Sequence, residues 1–230
     1  MKKYVIHTHS VYANLLTCSL EGEALAEKLF KDKDFGFIFL PYINPGFELT
    51  LAMMNKIDAY VKETGKYPEV IFMKNHGLVV TGDYIDRVKA VNTDVNETIR
   101  NYFGLQDNFR AVTLEKTESG FVSATPIVCD FVKENVLDKA MLDKTPLYPD
   151  QLVYLNNILA HSPNTMVVEN GKVYYNTDIK QATTLEETLA AYLFVVTTIK
   201  KANLPVSTMN EKEVYFINNW EAEKYRRSVK

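Results

Sequence analysis

Cysteine is scarce in this sequence: Cys18 and Cys129 are the only two among 230 residues. Two isolated thiols read as reduced, partly buried side chains of a cytosolic protein, and they exclude a disulfide framework. Glycine is nearly as sparse, nine residues with no clustered run, so no glycine-rich phosphate loop is recognisable. No apolar run approaches the roughly 18 residues needed to span a bilayer. The first residues carry Lys2 and Lys3, but histidines and a serine follow where a signal peptide would have its apolar core. Neither sign of charge dominates, with 26 Lys and Arg against 29 Asp and Glu and a net charge of -3. The clustered positive patch that non-specific nucleic-acid binding requires is missing. The most basic stretch, Lys224 to Lys230, reads as a solvated helix end. The expectation is a cytoplasmic protein that binds neither nucleic acid nor membrane.

What is present is an ordinary globular composition, 47% hydrophobic and 24% charged, which excludes a disordered or low-complexity chain. Tyr4 to His7 reads as a strand, Val11 to Cys18 and Ala24 to Phe30 as helices, and the apolar run Gly36 to Leu40 as a buried strand. Leu49, Met53, Ile57 and Val61 recur at helical spacing until Gly65 closes the helix. Glu69 to Met73 and Gly77 to Val80 read as strands, and a helix to about Phe103 follows with Asp83 as its cap. Gly104 to Pro126 is looser, and Ile127 to Leu142 is mostly helical. Thr145 to Asp150, with two prolines, reads as a linker. Beyond it, Asn170-Gly171 signals a hairpin, Thr183 with Glu186 a capping box, and Asn210 to Arg227 a last helix. Two domains are therefore expected, 1–144 and a small α+β unit at 145–230.

Four histidines are available for chemistry. His7 and His9 occupy positions i and i+2 of the first strand, which share a face about 7 Å apart along it. Such a pair either converges on a metal ion or is incidental. His76 precedes Gly77 between two strands and is either a turn histidine bonded to a carbonyl or a third ligand. His161 reads as an ordinary surface histidine. Three imidazoles would leave an open coordination position on a divalent metal, the pattern of a catalytic site, with zinc the default.

The segment Val5-Ile6-His7-Thr8-His9-Ser10 with Ala13-Asn14 resembles the paired-histidine segment of the class II aldolase/adducin family. Leu40-Pro41-Tyr42 with Pro45-Gly46 resembles the loop that comes next in that family, and Asn75-His76-Gly77 with Gly82 its third metal-histidine strand. Asn219 to Arg226 resembles the tail of longer members. The resemblance implies an α/β fold, a three-layer sandwich with a central, mainly antiparallel sheet, followed by the small C-terminal α+β unit. It implies His7, His9 and His76 as ligands of Zn2+ or another divalent metal. The implied activity is that of a lyase: retro-aldol cleavage of a ketose 1-phosphate, through a metal-held enediolate, to dihydroxyacetone phosphate and an aldehyde. A functional glutamate lies between the paired histidines and the Pro-Gly loop in some members, and Glu27 falls near that position as the catalytic acid/base. Its alternative is a solvated helix carboxylate beside Glu21 and Glu23.

The family's segment ahead of the paired histidines supplies its phosphate loops, and this sequence begins six residues before His7. The resemblance therefore leaves several readings open: an active aldolase, a metal-binding but catalytically incomplete scaffold or assembly module, or half of a split enzyme. The last would have a separate upstream polypeptide as partner. An epimerase or dehydratase on a related sugar phosphate would use the same metal site. The implied partners are a small sugar phosphate and further copies of the chain, a homo-oligomer and commonly a tetramer. Tyr42 could reach the site, whereas Trp220 and Tyr225 read as packing residues.

Overall fold

A computed structural model describes residues 2–106 and 109–220. The fold is mixed α/β with two four-stranded sheets. It divides into two compact units, Met1–Asn108 with Thr198–Ser207, and Phe109–Thr197 with Thr208–Lys230. The second unit thus includes the stretch expected as a linker at 145. Leu147 and Tyr148 are 0% and 3% exposed there, because the prolines flank two large apolar side chains that fill the core.

In the first unit, β1 (Tyr4–Thr8) is followed by α1 (Val11–Thr17) and α2 (Gly22–Phe30), then β2 (Gly36–Leu40) and α3 (Phe47–Thr64). β3 (Pro68–Met73) and β4 (Gly77–Gly82) form a hairpin, and α4 (Ile85–Tyr102) completes the series. The strand order is β1-β4-β3-β2, with antiparallel pairing at β1–β4 and β3–β4 and parallel pairing at β2–β3. Side chains alternate across a strand, so the sheet presents two apolar faces. Ile38, Leu40, Ile71, Met73 and Val79 cluster with Leu49 and Ile57 of α3, whose helical spacing aligns them in one stripe. Phe72 meets the rings of Phe37, Phe39 and Phe30 of α2, with centroids 5.5 Å apart for Phe30–Phe72, and Phe30 also meets Phe37.

Asp83 does not cap α4. The N-cap position is Tyr84, with no side-chain cap bond, and Asp83 instead takes the Lys2 ammonium at 2.9 Å. A lysine brought within reach by strand pairing outcompetes a local backbone donor.

In the second unit, β5 (Leu114–Lys116) and β6 (Phe121–Ser123) arise from the region read as loose. The helix expected over 127–142 is broken into α5 (Pro126–Glu134) and α6 (Lys139–Lys144). A π-helical turn (Gln151–Asn156) runs into α7 (Asn157–His161), and β7 (Met166–Glu169) and β8 (Lys172–Tyr175) follow. Their hairpin turns at Asn170 and Gly171, with φ of 51° and 68°, the left-handed conformation this dipeptide favours. The sheet order is β5-β6-β8-β7, antiparallel throughout.

α8 (Ile179–Lys201) starts a turn earlier than the Thr183–Glu186 pattern suggests. Asp178 accepts from the Gln181 N–H at 2.9 Å, and Glu186 is fully buried within the helix. The capping box belongs instead to α9 (Glu211–Asn219), where Asn210 and Glu213 cap each other's backbone. The tail motif from Glu221, the continuation of the last helix to Arg227, Tyr225 and the basic stretch all lie outside the described residues. Among the described residues no helix is long and apolar enough to cross a membrane.

Candidate metal centre

The strand directions place the histidines. β1 and β3 run the same way and β4 runs against them. The end of β1, the end of β3 and the start of β4 therefore meet along one border of the sheet. His7 pairs across from Val79, and Thr8 from Leu78. His9 follows directly after β1, while His76 closes the three-residue turn Lys74–His76 between Met73 and Gly77.

The three imidazoles converge. Their ring centroids form a triangle with sides of 5.1, 5.3 and 5.1 Å, each pair set edge to face. One ring nitrogen from each of His7, His9 and His76 falls within 4.8 Å of the other two. His7 Nδ1 lies 3.0 Å from the Leu78 carbonyl oxygen. A carbonyl only accepts, so Nδ1 carries the proton and Nε2 the lone pair. That second bond to the backbone is the usual device for orienting a metal-binding imidazole.

Packing beneath the rings explains why they can meet. A Cβ on Gly77 would stand 2.5 Å from the Thr8 carbonyl oxygen, 3.1 Å from His9 Cδ2 and 3.3 Å from His9 Cα. Only glycine lets the end of β1 lie this close to β4. Asn75 adopts φ of 51°, a left-handed turn conformation that asparagine tolerates better than most residues. It is 2% exposed and held on three sides: its N–H donates to the Thr17 carbonyl at 2.9 Å, its Nδ2 to the Ser207 carbonyl at 2.9 Å, and its Oδ1 accepts from Ser207 Oγ at 2.9 Å. On the other side Ser10 caps α1 and donates its hydroxyl to Asn96 Oδ1 on α4. His76 and His9 thus sit next to residues that are fixed independently of the rings.

The donor set fits a divalent transition metal. Nitrogen ligands at about 2.1 Å in tetrahedral directions would put ring centroids about 5 Å apart, as they are here. Three neutral imidazoles suit zinc, and also iron, cobalt and nickel. His7 is exposed and His76 half-buried, so the cluster opens to solvent on at least one side.

The structure does not bring Glu27 into this group. Glu27 is an exposed residue of α2 and lines a separate groove with Phe37 and Phe39 of β2, the strand at the opposite edge of the sheet from β1. Tyr42 is half-buried in the loop between β2 and α3. His161 is exposed at the end of α7 in the second unit. Asn75 and Gly77 are visible in the sequence as motif residues, but their contacts are not. Nothing local announces that Ser207, 132 positions away, holds Asn75, or that Gly77 seats Thr8 and His9.

Residues 2–103, the stretch that contains all three histidines, match the class II aldolase and adducin N-terminal domain family. No curated protein and no solved structure matches the chain.

Proposed function

We propose, from the match of residues 2–103 to the class II aldolase and adducin N-terminal domain family, that the chain is a metal-dependent lyase that cleaves a ketose 1-phosphate by a retro-aldol reaction. The observation that carries the reading is the convergence of His7, His9 and His76 to within 4.8 Å inside the matched segment. These three residues would hold the cation, with zinc the expected metal. Bound there, a divalent cation supplies Lewis-acid polarisation to neighbouring oxygen atoms of a substrate.

The chain's own residues do the positioning. The Leu78 carbonyl holds the His7 Nδ1 proton at 3.0 Å, so the ring presents Nε2 and cannot flip without losing that bond. Gly77 lets His9 approach, and Asn75 fixes the turn that aims His76. The exposed side of His7 gives a small, soluble substrate a path to the centre. A sugar phosphate is the substrate class proposed, with dihydroxyacetone phosphate and an aldehyde as products.

The test begins with elemental analysis of untagged protein, where about one divalent metal per chain is expected. His76→Ala should abolish tight Co(II) binding, and His161→Ala should retain it. Equal loss from both variants would overturn the three-histidine assignment. The metal-loaded protein is then assayed for dihydroxyacetone phosphate release from fuculose 1-phosphate and rhamnulose 1-phosphate. A loaded protein that releases none from any ketose phosphate overturns the lyase reading and leaves a metal-holding scaffold.

A further inference from the structure

The turn that carries His76 rests on a piece of chain from the far end of the sequence. α8 ends at Lys201, and Asn203 turns the chain back with φ of 56°. The N–H groups of Asn203 and Leu204 donate to the Lys200 and Ile199 carbonyls at 3.0 and 3.1 Å, which closes the helix. The chain then runs as a strap over 204–207 before it reaches α9. The strap belongs to the first unit, although both strands of the β7–β8 hairpin precede it in sequence.

Two segments of the first unit hold this strap. On the end of α1, the Ser207 N–H donates to the Cys18 carbonyl at 2.7 Å and the Leu20 N–H donates to the Pro205 carbonyl at 2.9 Å. Ser19 and Val206 form an antiparallel bridge between those bonds. On the turn before His76, the Ser207 carbonyl accepts from Asn75 Nδ2 and the Ser207 hydroxyl donates to Asn75 Oδ1, each at 2.9 Å. The Asn75 N–H completes the ring of contacts on the Thr17 carbonyl at 2.9 Å. Thr17, Cys18, Asn75 and Ser207 are each at most 2% exposed. In such a place a hydrogen bond is strong and a lost partner is costly.

Two of the three ligands issue from these contacts. His9 leads through Ser10 into α1, whose other end is Thr17, and His76 follows Asn75 directly. Asn75 has φ of 51°, a conformation that a residue other than glycine keeps where its surroundings over-determine it. Those surroundings are the strap and the end of α1. Without the strap, Asn75 keeps one of its three bonds, the one to Thr17. A metal ligand tolerates only about 0.2 Å of misplacement, so a loosened turn is felt at His76.

We propose that the strap over 204–207 is a positioning element of the metal centre, in which Ser207 sets His76 through Asn75, so that metal binding and strap docking stabilise each other. The inference rests on the metal reading of His7, His9 and His76. It extends the centre beyond the stretch that matches the family, which ends at residue 103. The coupling is reciprocal: the factor by which the docked strap raises metal affinity is the factor by which bound metal favours docking.

The experiment uses the full chain with Co(II) as the probe. Ser207→Ala removes the hydroxyl donor and keeps the carbonyl that Asn75 Nδ2 uses. Its Co(II) affinity should fall about tenfold or more, the range for lost support of a ligand, with a shifted visible absorption of the bound ion. Val88→Ala, a buried truncation beside Gly82 at the opposite end of β4, controls for stability alone. It should lower the urea midpoint and leave Co(II) affinity and spectrum unchanged. In the wild type, saturating Zn2+ should slow hydrogen exchange at the Ser207 and Leu20 N–H groups by about the same factor. Wild-type affinity and spectrum in Ser207→Ala overturn the proposal. Equal loss of affinity in Val88→Ala overturns it too, because the effect is then one of stability. Exchange at Ser207 and Leu20 that zinc leaves unchanged overturns the coupling. A wild-type chain that takes up no Co(II) fails earlier, at the metal reading itself, and removes both.

Discussion

Replacing Gly77 by alanine is expected to cost metal affinity out of proportion to its cost in stability. The added Cβ would stand 2.5 Å from a backbone oxygen, that of Thr8. A carbon and a carbonyl oxygen rest at about 3.3 Å or more, so β1 and β4 must part by roughly 0.8 Å at this end. Neither atom is the tip of a flexible side chain, and the strain cannot be shed by a rotamer change. Overpacking of this kind costs roughly 1–3 kcal/mol, which a domain of ordinary stability survives. The nearest side-chain atom to the same Cβ belongs to the His9 ring, at 3.1 Å. Metal ligands tolerate only about 0.2 Å of misplacement. A ring displaced by several times that tolerance should lower affinity by about 10- to 100-fold, as disrupted ligand support commonly does.

The assay is a Co(II) titration followed by visible absorption, with urea unfolding run on the same preparations. Gly82→Ala is the matched control at the other end of β4. Its Cβ would meet a side-chain methyl of Val88 at 3.0 Å, which can move, and Glu69 Oε1 at 3.8 Å. Gly82→Ala should keep wild-type affinity. If Gly77→Ala binds Co(II) as tightly as the wild type, the close approach of β1 is not what places His9, and the reasoning fails.

Two further outcomes follow from buried groups. Burial pushes the Cys18 thiol from 9.0 up to about 12 and the Tyr192 hydroxyl from 10.0 up to about 12, and it raises Tyr175 well above 10.0. Each folded-state value lies above the unfolded one, so the associated stability is complete below about pH 9 and is lost as pH rises above it. For Cys18 alone the loss reaches roughly 4 kcal/mol at most, at about 1.36 kcal/mol per pH unit. Cys18→Ala should flatten the pH dependence of urea unfolding above pH 9, and an unchanged slope would remove the thiol from the account. In the second unit, Glu186 accepts from Ser123 Oγ and Tyr175 OH, each at 2.5 Å. Tyr175→Phe leaves that buried carboxylate one donor short and should destabilise the protein by about 1–3 kcal/mol, measured as a lower urea midpoint with unchanged slope.

Legibility in the sequence followed the range of the interaction. β2 could be read because a five-residue apolar run is long enough to stand out, and α3 because its stripe repeats over 18 residues. The hairpin at Asn170-Gly171 could be read because the two turn residues alone dictate it. β5 and β6, three residues each, are too short to show a period. Thr183 and Glu186 have the spacing of a capping box but sit inside α8, where Glu186 faces Ser123 and Tyr175 and not a helix end. The spacing alone cannot tell these uses apart, since the buried role is set by Ser123 and Tyr175, which lie far from the threonine in sequence or on another element. The prolines around Leu147 and Tyr148 imitate a linker by composition while their neighbours are buried. At the metal centre the ligand types were visible, but the support was not. Gly77, Leu78 and Ser207 act across long stretches of chain through pairings that no local pattern encodes.

The histidine cluster therefore depends on strand register as well as on the identity of its ligands. Along β1, Val5 and His7 are exposed while Tyr4, Ile6 and Thr8 are half-buried. A slip of one residue against β4 would turn His7 to the other face and dissolve the cluster. An edge strand paired on one side is the element most open to such a slip, so the register must be pinned from outside β1. It is pinned at both ends. At the start, Thr81 Oγ1 accepts from the Lys2 N–H at 3.1 Å and donates to the Tyr4 carbonyl at 3.0 Å, and Lys2 Nζ reaches Asp83 at 2.9 Å. At the finish, Gly77 admits Thr8 and His9 at one depth only, and Ser10 is tied to Asn96. Asp83, which by local pattern should have capped a helix, serves instead to hold in register the strand that carries His7.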